Sequence, residues 1–151
     1  MDTIRFERSH DVVIDAPPQA VYDYVSNPHS WPEWIAASHA LECPDRPLVA
    51  GETFREQWMT REMVTLHWVV RESDRPHRWV ARTETPFTGE IIVRYDCAPE
   101  GRGTRYTRTL LNPARPKPVT AEMLARIDAE AATALARIKA NVERRAAAGG
   151  G

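Results

Sequence analysis

The sequence predicts an α+β fold: a curved antiparallel sheet of about seven strands, two short helices near the N-terminus and one long C-terminal helix. Three observations carry this expectation. From about residue 38 to residue 112, strand-like runs follow one another, separated only by turn signals. These spacings leave no room for crossover helices, so neighbouring strands must run antiparallel, as a meander of hairpins. After Thr120 the apolar period changes from two to the helical 3.6, and it holds to Val142.

The elements follow in order. Residues 4–14 form a first strand, with Ile4, Phe6, Val12 and Ile14 on one parity. Ala16-Pro17-Pro18 opens a short helix, where proline fits because the first turn has no use for its missing N–H. Val21, Tyr24 and Val25 give that helix an apolar face, and Asn27-Pro28 ends it. A second, very short helix is expected to start near Pro32, within Trp31-Pro32-Glu33-Trp34. Pro44-Asp45, Ala50-Gly51, Ser73-Asp74-Arg75-Pro76, Thr88-Gly89 and Glu100-Gly101-Arg102-Gly103 then punctuate the strands. Between them Leu66, Trp68 and Val70 alternate, as do Ile91, Val93 and Tyr95, and then Tyr106 and Leu110. One face is therefore apolar and the other rich in arginine and threonine, as in a sheet solvated on one side.

The last helix is capped by Thr120, with Val119 placed to staple against Leu124. Met123, Leu124, Ile127, Ala131, Ala134, Leu135, Ile138 and Val142 form its apolar stripe. Residues 1–146 read as one domain, and the Ala/Gly tail at 147–151 is expected to fray. A single helix covers only part of a curved sheet, so a cavity between the two is expected, suited to an apolar ligand.

Composition excludes several classes of function. Twenty basic and twenty-one acidic residues give a net charge of −1, with arginines interspersed among acids, unlike the basic footprint of a nucleic-acid binder. The N-terminus lacks the apolar core of a signal peptide, and no run approaches the roughly 20 apolar residues of a membrane span. Cys43 and Cys97 are far apart, without the spacing of a metal site. His10, His29, His39, His67 and His77 offer no metal-ligand spacing either. A soluble, cytoplasmic protein that uses no metal is expected.

The segments "VVIDAPPQAVYDYVSNPHSWPEW" and "GRGTRYTRTL", followed by the long final helix, resemble the START/Bet v 1-like (SRPBCC) superfamily with its helix-grip fold. The resemblance covers essentially the whole chain. Through "NPHSWPEW", "RTETPFTGEIIVRYD" and "KPVTAEMLARI" it is nearest to bacterial polyketide aromatase/cyclases. It implies a hydrophobic, polyketide-like small molecule bound in an internal cavity, aldol-type cyclisation or dehydration without a cofactor, and a monomer or homodimer. Binding or transport of a hydrophobic small molecule without catalysis is the alternative. Such chemistry needs cationic or hydroxyl groups beside a developing oxyanion, and a pocket that fixes the reacting carbons.

The resemblance also implies site residues. Arg82 in "RTET" matches a pocket arginine, Trp68 a cavity-lining strand tryptophan, and Tyr95 an aromatic position. His39 stands where the family has a tyrosine, Glu72 where it has an arginine, and Arg108 where it has a tryptophan. Arg82, Arg108 and His39 are thus the candidate catalytic residues. Trp34, Trp68, Phe87, Tyr95, Tyr106, Met123 and Ile127 are the candidates for binding ligand. By its own parity Arg108 lies between Tyr106 and Leu110 on the inward face, where a buried arginine must pair or bind an anion. A structural ion pair with Glu72 or Glu84, or a snorkelling rim position, fits the same pattern. For Arg82 the neighbouring Trp79 and Ala81 compete with Val80 for the inward face, which leaves a surface position as the alternative. His39 can serve as a general base or simply stand exposed at a strand start. Trp31 reads as a structural anchor, and Trp34 as the tryptophan that faces the cavity. Glu56 and Glu72 do not by themselves make a carboxylate pair.

Overall fold

The computed structural model describes residues 3–149. Seven strands form one sheet: β1 (Ile4–Ile14), β2 (Ser38–Glu42), β3 (Thr53–Met59), β4 (Met63–Asp74), β5 (Arg78–Thr85), β6 (Gly89–Glu100) and β7 (Gly103–Arg115). Their order is β1-β7-β6-β5-β4-β3-β2, with every neighbouring pair antiparallel. The first strand thus lies beside the last, and the other five follow as a meander. The helices are α1 (Pro18–Val25), a 3-10 helix (Pro28–Glu33) and α2 (Ala121–Gly149).

Local chemistry explains the boundaries. Pro18 opens α1 without loss of a hydrogen bond. The 3-10 helix begins earlier than the expected Pro32, because the Asn27 side chain accepts a hydrogen bond from the His29 N–H and caps it there. Thr120 caps α2 as expected, its hydroxyl accepting from the Met123 N–H at 3.1 Å. Residues 147–149, expected to fray, continue α2 instead, since alanine favours the helix; residues 150 and 151 lie outside the described residues.

Gly103 marks a close approach. A Cβ there would sit 2.3 Å from the Ile14 carbonyl oxygen, so only glycine lets β7 start against the end of β1. Beside it the Thr104 hydroxyl donates to the Ala16 carbonyl at 2.7 Å. Together they hold the start of α1 against the sheet edge.

The core divides along α2. Its buried residues are Ala131, Ala134, Leu135, Ile138 and Val142, all in the second half of the apolar stripe. Met123, Leu124 and Ile127 are only half-buried. The N-terminal third of α2 therefore draws little from the hydrophobic effect, whereas burial of a Leu135 or Ile138 side chain contributes about 1.5–3 kcal/mol. Among the described residues, no helix is long and apolar enough to cross a membrane.

Candidate functional site

The two-residue period of the strands sends every second side chain to the concave face. On β3 these are Phe54 and Glu56; on β6, Val93, Tyr95 and Cys97. In register, Tyr95 stands opposite Arg108 of β7, and Cys97 opposite Tyr106. A carboxylate, a guanidinium and two phenols are thereby carried into the interior.

These groups form one cluster. The Tyr95 and Tyr106 rings meet edge to face, with centroids 5.9 Å apart. The Arg108 guanidinium lies 5.7 Å from the Trp34 ring centroid, in cation–π range. Glu56 is 0% exposed, and its Oε1 accepts a hydrogen bond from Trp68 Nε1 at 2.9 Å. Burial pushes the Glu56 carboxyl above its ordinary pKa, against the opposing pull of the Ser38 hydroxyl, the Trp68 N–H and the Arg108 charge. Burial likewise pushes Tyr95 up to about 12, although Arg108 favours its ionised form. Tyr106 is raised further, by burial first and then by neighbouring Tyr95.

Five buried side-chain atoms lack a hydrogen-bond partner among the described residues: Ser38 Oγ, Glu56 Oε2, Tyr95 Oη, Tyr106 Oη and Arg108 Nε. All five belong to this cluster. The Ser38 hydroxyl adjoins the Glu56 carboxyl and Arg108 adjoins the Tyr95 hydroxyl, so the interior holds a compact polar cluster with capacity for further hydrogen bonds. Four of the five, on Ser38, Tyr95, Tyr106 and Arg108, can donate an N–H or O–H, a set that suits the carbonyl or enolate oxygens of a ligand.

Aromatic rings enclose the cluster on one side. Trp31 touches Trp34, Phe54, Trp68, Trp79 and Tyr95 with centroids 5.3–6.4 Å apart, all edge to face. Trp79 stacks on Tyr95 at 5.3 Å, and Phe54 on Trp68 at 6.0 Å. The interior expected to hold an apolar cavity is here packed with rings. Two clefts open on the surface elsewhere: one of about 360 Å³ beside Glu72, His77 and Asp96, and one of about 460 Å³ beside His29, Glu33 and Arg145.

At the β1 side of the cluster, His10 stands opposite Arg108 in the β1–β7 register. His10 Nε2 lies 2.7 Å from Asp128 Oδ1 on α2, and Arg8 binds the same carboxylate through Nε at 3.0 Å and a terminal nitrogen at 2.7 Å. The hydrogen bond from Arg8, then that from His10, hold the Asp128 carboxyl down at about 2. This clasp ties the half-buried part of α2 to the sheet edge.

Of the candidates read from the sequence, Arg108, Trp34, Trp68, Tyr95 and Tyr106 converge here. Arg82 does not: it alternates with the buried Ala81 and Thr83, points to the outer face, and pairs with Glu90 at 2.6 Å and Glu84 at 3.0 Å. Phe87 is 45% exposed in the β5–β6 turn, because the chain reverses there before its side chain can reach the interior. His39 is exposed, as its neighbour Ser38 takes the inward position on β2. Met123 and Ile127 are half-buried on the first turns of α2, at its edge over the sheet. The ion pairs considered for Arg108 with Glu72 or Glu84 are not formed, since Glu72 is exposed and Glu84 pairs with Arg82. Sequence reasoning missed Glu56 and Ser38. For Glu56 a signal existed: Phe54, Glu56 and Trp58 share one parity, which places a lone charge on an apolar face.

Among the described residues, no three His, Cys, Asp or Glu side chains are gathered to hold a metal ion. Comparison with solved structures finds chains of the same fold, aromatase/cyclases among them. It is similar to the aromatase/cyclase ZhuI from Streptomyces sp. R1128, with 17% identity, TM-score 0.73, and 94% of this chain and 96% of that one covered. The di-domain aromatase/cyclase StfQ of the steffimycin biosynthetic pathway aligns at 15% identity and TM-score 0.75, over 95% of this chain and 53% of that longer one. Ara h 8.0201 aligns at 9% identity and TM-score 0.70, over 92% of this chain and 98% of its own. At such identities the likeness shows the helix-grip fold. A search of curated proteins finds no match by sequence. The family model described as "Polyketide cyclase / dehydrase and lipid transport" matches residues 3–143. The chain is thus a member of the polyketide cyclase/dehydrase and lipid transport family, with the helix-grip fold of the START/Bet v 1-like superfamily.

Proposed function

We propose that this protein binds a polyketide-like substrate beside Arg108, where the closely packed rings of Trp34, Tyr95 and Tyr106 part to admit it, and promotes its aldol-type cyclisation or dehydration without a cofactor. The observation that carries this reading is the cluster of unpartnered buried donors on Arg108, Tyr95 and Tyr106. A ketone oxygen that accepts from Arg108 Nε–H and Tyr95 Oη–H gains most when negative charge develops on it, as in an enolate or alkoxide. Donors already in place, away from bulk water, stabilise that charge without reorganising. The aromatic rings restrict a flexible chain to a few folded shapes, which supplies proximity between the reacting carbons. The family and two of the structural relatives support the same class of chemistry.

Binding of a hydrophobic small molecule without turnover is the second reading. The ring wall around Trp31 and Trp34 favours it, since aromatic faces hold a planar ligand with no chemistry at all. A synthetic poly-β-ketone separates the two. Under the catalytic reading, Arg108→Gln lowers the rate of ring closure by about 10²–10³-fold, the cost of one oxyanion donor, while an aromatic ring analogue still quenches tryptophan fluorescence. Unchanged product distribution with and without the protein would leave binding alone.

A further inference from the structure

We infer that Glu56 is the acid–base residue of this site, its Oε2 taking the proton from the carbon next to a ketone held by Arg108 and Tyr95. The inference rests on the cyclase reading and adds to it the group that moves the proton.

The geometry is specific. Trp68 donates to Oε1, which fixes the carboxylate plane and leaves Oε2 uncommitted and fully buried. Glu56 is the one acidic side chain among the buried polar residues of the described chain. Phe54 and Trp58 flank it on the same face of β3, where an apolar residue would serve the fold better. The groups that face it are Ser38 from β2, Trp68 from β4, Tyr95 from β6 and Arg108 from β7. His10 of β1 and Asp128 of α2 stand beyond Arg108, occupied with one another. The environment that raises the carboxyl above its ordinary value also makes it a stronger base once ionised.

The proton balance is simple. The C–H bond next to the ketone breaks, an O–H bond forms on Oε2, and the electron pair moves to the ketone oxygen as an enolate held by Arg108. When the enolate carbon joins a second carbonyl, the new alkoxide takes the proton back from Glu56. The carboxylate is regenerated, and the step is a net isomerisation.

The test uses 2-acetonaphthone, a planar aryl methyl ketone, with the full chain in deuterated water. Exchange of the methyl protons is followed by NMR, and binding by tryptophan quenching. The expected result is exchange catalysed by the wild-type chain, rising with pH through an ionisation above the usual carboxylate range. It falls about 10²-fold in Glu56→Gln with affinity retained, and is partly restored in Glu56→Asp. Binding with exchange that is equally fast in Glu56→Gln would overturn Glu56 and leave the cyclase site standing. A wild-type rate independent of pH across that range would also overturn it, without reliance on any variant. No binding of the ketone by the wild-type chain would overturn the site reading and this inference with it.

Discussion

The two halves of the concave interior are built from similar side chains and treat their polar atoms in opposite ways. Beneath α1 and the 3-10 helix, each buried indole has found a partner. Trp31 Nε1 donates to the Val25 carbonyl at 3.1 Å, Trp34 Nε1 to the Ser30 hydroxyl at 3.2 Å, and Trp79 Nε1 to the Leu48 carbonyl at 3.0 Å. A few ångströms on, between β3, β6 and β7, phenols, a guanidinium and a carboxylate are buried with atoms left unpaired. Packing satisfies the first region and gives it stability. The second leaves hydrogen-bonding capacity that the surrounding packing does not meet.

This contrast predicts a hierarchy of mutational effects. Trp31→Ala strikes the satisfied half, where one ring contacts five others; a loss of about 3–5 kcal/mol is expected, enough to unfold much of the chain on a denaturant titration. Arg108→Met strikes the unsatisfied half and should do the reverse. Substrate ring closure falls by at least about a hundredfold, while the thermal midpoint changes by only a few degrees.

Glu56→Gln sharpens the comparison further. The folded-state pKa of Glu56 is raised, so the unfolded chain releases its proton first as pH rises. Stability therefore falls from the ordinary carboxylate pKa upward, until the folded carboxyl ionises as well. Glutamine keeps the acceptor for Trp68 and removes this penalty. The variant should be more stable than wild type near neutral pH, and no more stable below about pH 4. A loss of stability at neutral pH would instead make Glu56 a structural residue.

Asp128→Asn probes the clasp, with a smaller effect. Its folded-state carboxyl is depressed to about 2 by Arg8 and His10, so the clasp is intact at neutral pH and is lost as acid titrates it. The variant should speed amide hydrogen exchange over residues 121–130 of α2 and leave residues 131–142 protected, as only the latter are anchored in the core. Arg82→Ala should matter least. Its outer-face pairs with Glu84 and Glu90 contribute about 0–1 kcal/mol, and ligand affinity should not change.

Much of the fold is legible because most strands show a two-residue period over part of their length and the turns carry glycine, proline or an acidic residue. Tyr106 and Arg108 could be placed inward by parity alone. Arg82 could not, since Trp79, Val80 and Ala81 are all apolar and alternation there gives no phase. Phe87 sits in a turn, where a residue has no parity, and its exposure follows from where β5 reverses into β6. Glu56 pairs with no second carboxylate, so the sequence alone does not single it out. Its meaning lies in partners on β4 and β7, distant in sequence and joined only by sheet register.

The most direct test of the central claim is a crystal structure of the chain with 1,3-dihydroxynaphthalene bound. The ring is expected against Trp34, with one ligand oxygen within hydrogen-bond distance of Arg108 Nε or Tyr95 Oη. A naphthalene ring seated instead in the surface cleft beside Glu33 and Arg145, with the inner cluster unchanged, would contradict it.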